Sequence, residues 1–96
     1  MNPQRGETAI EIDGETRKLC LTLGALAEIE RGLGCMSLKD LTIRLKSVSA
    51  HDLIILLAAL LRGGGEADLA GRVRELAIEP QTVLKAILSC FGKATE

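Results

Sequence analysis

One histidine, three cysteines, a run of three glycines and a few clustered arginines are the parts of this 96-residue chain from which a reactive site could be built. His51 stands two residues after Ser49, at a predicted helix start, where an imidazole is ordinarily solvated. General acid–base or nucleophilic work would require a nucleophile or a second ligand at a defined spacing, and none is legible. Asp52 beside it reads as a helix-capping carboxylate placed favourably in the helix dipole. Gly63-Gly64-Gly65 follows a helix and has no lysine behind it, whereas a phosphate-binding loop needs GxxxxGK[ST] between a strand and a helix. A helix end and hinge is the expected role. Cys20, Cys35 and Cys90 are odd in number and form no CxxC, so they signal neither a disulfide framework nor a zinc site. A reactive thiol also needs an electropositive setting; Arg17 and Lys18 adjoin Cys20 only in sequence, and all three cysteines read as small apolar filler. Arg62, Arg72 and Arg74 are diluted by Glu66, Asp68 and Glu75 and read as a solvated helix face. The expectation is a protein with no catalytic residue, no metal ligand and no cofactor.

Composition narrows the partners. Twelve basic and thirteen acidic residues leave a net charge of −1, and Phe91 is the only aromatic residue. That supplies neither the positive field nor the stacking platforms that nucleic-acid binders use. The longest apolar run, Leu53 to Leu61, is nine residues, about half of a bilayer span. Met1 to Glu7 has no apolar core of the signal-peptide kind. A soluble cytoplasmic protein that binds other proteins, and no nucleic acid, membrane or small-molecule substrate, is the expectation.

The elements that would position these residues follow from periodicity. Ile10 and Ile12 alternate with Glu11 and Asp13, and Leu19, Leu21 and Leu23 alternate with Lys18, Cys20 and Thr22. This is the period of half-buried strands, and Asp13-Gly14 between them is a hairpin signal. A two-residue loop (Asp13-Gly14) and a four-residue loop (Asp13 to Thr16) both keep Ile10, Ile12, Leu19 and Leu21 on one face, whereas a three-residue loop would split them. The four-residue loop, with Ile10 opposite Leu19, is slightly favoured.

Helices are expected thereafter. Leu26, Ile29 and Leu33 form a stripe closed by Gly32 and Gly34. Ser37 with Asp40 and Ser49 with Asp52 mark two further starts, the first leading a stripe of Leu38, Leu41, Leu45 and Val48. The second starts a helix that runs to about Arg62. A fourth helix would carry Leu69, Val73 and Leu76, and a fifth would open at Pro80 and carry Val83, Leu84, Ile87, Leu88 and Phe91. One α+β domain over 1–96 is predicted: a β-hairpin at 7–23, about five short helices over 25–91, and a short flexible tail at 92–96.

The third helix has no obvious polar face between Leu53 and Leu61. All-round apolar helices are central and buried, or part of the surface is kept for a partner. Both readings stay open at this point. If a face is kept, Leu57 and Leu61 on this helix and Leu84 and Leu88 on the last are the expected partner contacts.

Several strings also resemble a known family. Asn2-Pro3-Gln4-Arg5-Gly6-Glu7, Ile12-Asp13-Gly14-Glu15, the stretch Leu21 to Glu30, and Leu61-Arg62-Gly63-Gly64-Gly65 are similar to a small protein of gene transfer agents, the phage-like particles encoded in alphaproteobacterial chromosomes. The family is labelled a phage tail tube protein and grouped with tail assembly chaperones. The resemblance covers nearly the whole chain and implies no catalytic residue. It implies a tail assembly role, with the tape measure protein or the tube subunits as partners and incorporation into a phage-like particle as one outcome. Two alternatives accompany it: a structural tail tube subunit, or a small regulatory or adaptor domain, unrelated to tails, that self-associates through its apolar helix.

Overall fold

The computed structural model describes residues 6–95. The first string of the resemblance and the signal-peptide reading fall largely on 1–5, and the last tail residue is Glu96, all outside the described residues. Strands β1 (Glu7–Ile12) and β2 (Glu15–Cys20) are followed by helices α1 (Leu23–Leu33), α2 (Leu38–Arg44), α3 (Ala50–Gly63), α4 (Ala67–Ala70), a 3₁₀ turn (Val73–Glu75) and α5 (Pro80–Thr95). The α+β class, with an N-terminal hairpin on a helical bundle, is the one expected.

The strands pair antiparallel, with Ile12 opposite Glu15 and Ile10 opposite Arg17. The connection is therefore the two-residue Asp13-Gly14 turn, and the favoured four-residue loop is corrected. Both turn residues have positive φ, 54° and 79°. This is the primed turn class, whose twist matches that of the strands. Burial treats the two loop lengths alike, so turn geometry decides between them. Ile10, Ile12 and Leu19 share the buried face.

Three helix ends follow the capping signals. The Ser49 side chain accepts from the Asp52 N–H while Asp52 accepts from the Ser49 N–H, completing the box. Ser37 caps α2 through the Asp40 N–H, but Asp40 takes the Met36 N–H instead of that of Ser37. Thr22 accepts from the Ala25 N–H, so α1 starts at Leu23, a residue the alternation placed on the strand; Leu23 is 86% exposed.

Elsewhere the periodic reading overran. Helix α2 stops at Arg44, and Leu38 is exposed while Leu41 is buried, which shortens the predicted stripe. The fourth helix divides into α4 and the 3₁₀ turn around Gly71, since glycine is a poor helix former. Leu69 and Val73 are buried even so. Pro80 opens α5 as expected, but the helix continues through 92–95, where a tail was predicted.

Helix α3 is the centre. Leu56 through Leu61 are all buried, and β2, α1, α4 and α5 surround them. Its C-terminal end lies on β2 so closely that a Cβ on Gly63 would stand 2.1 Å from the Cys20 carbonyl oxygen, and one on Gly64 2.0 Å from that of Lys18. The glycine run is thus more than a helix stop: it lets two backbones touch. Beyond it, one Glu66 carboxylate oxygen accepts from the Lys18 backbone N–H at 3.3 Å and the other from Arg17 at 3.1 Å. Together these residues cover the outer edge of β2.

Candidate docking surface on the central helix

The N-terminal half of α3 is built differently. Leu53, Ile54 and Ile55 are half-buried, and Ala50, Leu53, Ile54 and Leu57 line one side of an open groove of about 220 Å³. Their spacing of three, four and seven places them on one helical stripe. Val73, Leu76 and Ile78 from the connection, and Pro80 and Val83 from α5, line the other side. Arg74 stands exposed at the rim and has no ion pair among the described residues. Pockets for drug-sized ligands ordinarily exceed about 300 Å³; this groove suits one or two aliphatic side chains of a partner, with a carboxylate beside them for Arg74.

The start of α3, which supplies Ala50 and Leu53 to the groove, is held by an ion pair. Asp52 is almost wholly buried (3% of its side chain exposed) and accepts from Arg44 Nη2 at 3.0 Å and Nε at 3.2 Å. Arg44 Nη1 also donates to the Leu33 carbonyl at 3.0 Å. One guanidinium therefore joins the ends of α1 and α2 to the start of α3. Burial pushes the Asp52 carboxyl upward, but the Ser49 N–H and Arg44 outweigh it and hold the group below its ordinary range. At the other end of α3, Arg62 pairs bidentately with Glu28 of α1, and this hydrogen bonding lowers the Glu28 carboxyl.

The four expected contacts separate. Leu57 forms part of the groove floor and is only 2% exposed, and Leu61 is fully buried. The chain buries both in its own core, and Leu57 borders the groove. Leu84 is half-buried and Leu88 is 44% exposed; they line a separate shallow depression on α5 with Gln81, Thr82 and Lys85. Leu53, Ile54 and Arg74 lie outside the expected contacts, although helical spacing alone puts Ala50, Leu53, Ile54 and Leu57 on one stripe. Of their neighbours across the groove, Val73, Leu76 and Val83 lie on the predicted stripes of the fourth and fifth helices, whereas Ile78 lies on none.

His51 is exposed. Cys90 is buried, and burial, helped by Glu7, pushes the Cys20 thiol up, away from reactivity. Among the described residues no group of three or more His, Cys, Asp or Glu side chains could hold a metal ion, and no helix is long and apolar enough to cross a membrane. The candidate site is thus an open apolar groove with Arg74, unpaired among the described residues, at its rim. Over residues 5–93 the chain matches the family model described as phage tail tube protein, GTA-gp10, and it belongs to that family. The resemblance to gene transfer agent tail proteins is thereby established over nearly the whole chain. No curated protein and no solved structure gives a significant match.

Proposed function

We propose that this chain is a non-enzymatic tail assembly factor, which binds the tape measure protein or the tube subunits while a gene transfer agent tail is built. The observation that carries the reading is the groove beside the N-terminal half of α3, where half-buried Leu53 and Ile54 adjoin Arg74, a cation with no ion pair among the described residues. A partner helix with aliphatic residues on one face and a carboxylate beside them is suited to it, in the helix-in-groove mode. Leu84 and Leu88 extend the contact along α5. The protein is cytoplasmic during this work and then leaves the tail or is incorporated into the particle.

Co-expression with the tape measure protein, and separately with the tube subunit, tests this by co-purification. A complex with either one is the expected result. Absence of both complexes, together with normal tails in a deletion strain, overturns the proposal. The family's description as a tail tube protein favours a second reading, a structural tube subunit. That reading predicts many copies in purified particles, whereas a departing chaperone leaves few or none.

A further inference from the structure

The two edges of the hairpin are treated unequally. Gly6 and Leu21 share a ladder hydrogen bond (2.8 Å), and the register carries this inward pairing through residues 8, 10 and 12 of β1. Lys18, opposite Ala9, confirms the alternation, since its N–H points away from β1 to Glu66. It follows that the backbone N–H and C=O groups of Ala9 and Glu11 point outward from β1. They take no hydrogen bond among the described residues. While the outer edge of β2 is covered by the glycine run and Glu66, that of β1 opens onto a groove of about 430 Å³, whose far wall is Thr82, Lys85, Ala86 and Ser89 of α5.

Edge strands of soluble proteins are ordinarily covered, bulged or kept very short. An exposed row of donors and acceptors is satisfied best by another extended backbone. We propose that the outer edge of β1 is a strand-addition site for an extended segment of another polypeptide, laid between β1 and α5. Side-chain chemistry selects the occupant. Glu11 is exposed and forms no ion pair among the described residues, and it lies on the outer face with Glu7. A second copy of β1 pairing about Ala9 would set Glu11 against Glu7, whose carboxylate Lys18 already pairs at 3.1 Å, and so would bring Glu11 no cation. The incoming strand therefore carries a basic residue opposite Glu11 and, at alternate positions, aliphatic residues over Ala86 and the stem of Lys85. This site is distinct from the α3 groove, and its test does not depend on the tail reading.

The test uses the full chain and two capped hexapeptides, one alternating Lys and Val and the other Glu and Val. Amide hydrogen exchange is followed by NMR. With the Lys–Val peptide, exchange at Ala9 and Glu11 should slow about tenfold, as two hydrogen bonds of ordinary net strength give; the Glu–Val peptide should give less protection. Ala9→Pro removes a donor that the ladder does not use and should abolish the effect. Glu11→Lys, which leaves the backbone intact, should shift the preference to the Glu–Val peptide. No protection with either peptide, or protection confined to the α3 groove, overturns the proposal. So does protection of the same two amides in the free chain that rises with concentration as a dimer forms in sedimentation, because the occupant is then a second copy.

Discussion

The two halves of α3 both carry aliphatic side chains and put them to different uses. From Leu56 to Leu61 every side chain is buried, and the end of the helix touches the β2 backbone at Gly63 and Gly64. From Ala50 to Ile55 the side chains are less covered: Leu53 and Ile54 are half-buried beside an open groove, Ala50 is exposed, and the polar Asp52 is the one buried deepest. What separates them is the covering layer. Strand β2 lies against the C-terminal half; the N-terminal half faces the 3₁₀ turn, the irregular residues up to Pro80 and the start of α5 across the groove. An apolar helix alone therefore does not identify an interface. What the N-terminal half lacks is a long covering element.

The comparison can be broken most forcefully at the glycines. Gly64→Ala puts a Cβ into the Lys18 carbonyl, so two backbones have to part; a loss of about 4 kcal/mol in denaturant unfolding is expected, at the upper end for single substitutions. Leu60→Ala, in the covered half, should cost about 3 kcal/mol as a core truncation. Leu53→Ala, in the open half, should cost about 1 kcal/mol, because less area leaves water there on folding. Equal losses at Leu53 and Leu60 would erase the distinction between the halves.

Asp52 gives the smallest effect and a pH signature. Its carboxyl is lowered in the folded chain, so its contribution is complete above the unfolded value of about 3.9 and is lost as pH falls through the folded value. Asp52→Asn should be less stable than the parent by about 1 kcal/mol at pH 7. The gap should narrow as the solution is acidified below about pH 4. A gap that stays constant down to pH 2 would show that the ionised group is not what Arg44 and Ser49 hold.

Much of the scaffold was legible because it rests on local chemistry. The Ser49–Asp52 box, the Asp13-Gly14 turn and Pro80 at a helix start each announce themselves within a few residues. The groove was half legible. Its α3 stripe follows helical spacing, but its opposite wall exists because Gly71 divides a predicted helix and leaves Leu76 and Ile78 in irregular chain. The role of Gly63 and Gly64 in backbone contact was not legible, since a glycine that ends a helix and one that admits a neighbouring strand look alike in sequence. Leu57 and Leu61 look like their apolar neighbours in sequence, and only the tertiary covering reveals that the chain buries them in its own core.

The central claim is that the open half of α3 is the docking surface for a tail partner. Its most direct test is titration calorimetry of the partner found by co-purification against the parent chain, Ile54→Asp and Arg74→Glu, with melting curves recorded for all three. The account predicts that Ile54→Asp weakens binding by about thirtyfold, as loss of an interface anchor does. Arg74→Glu should weaken it less while leaving the melting temperature unchanged. Undiminished affinity in both variants would contradict it.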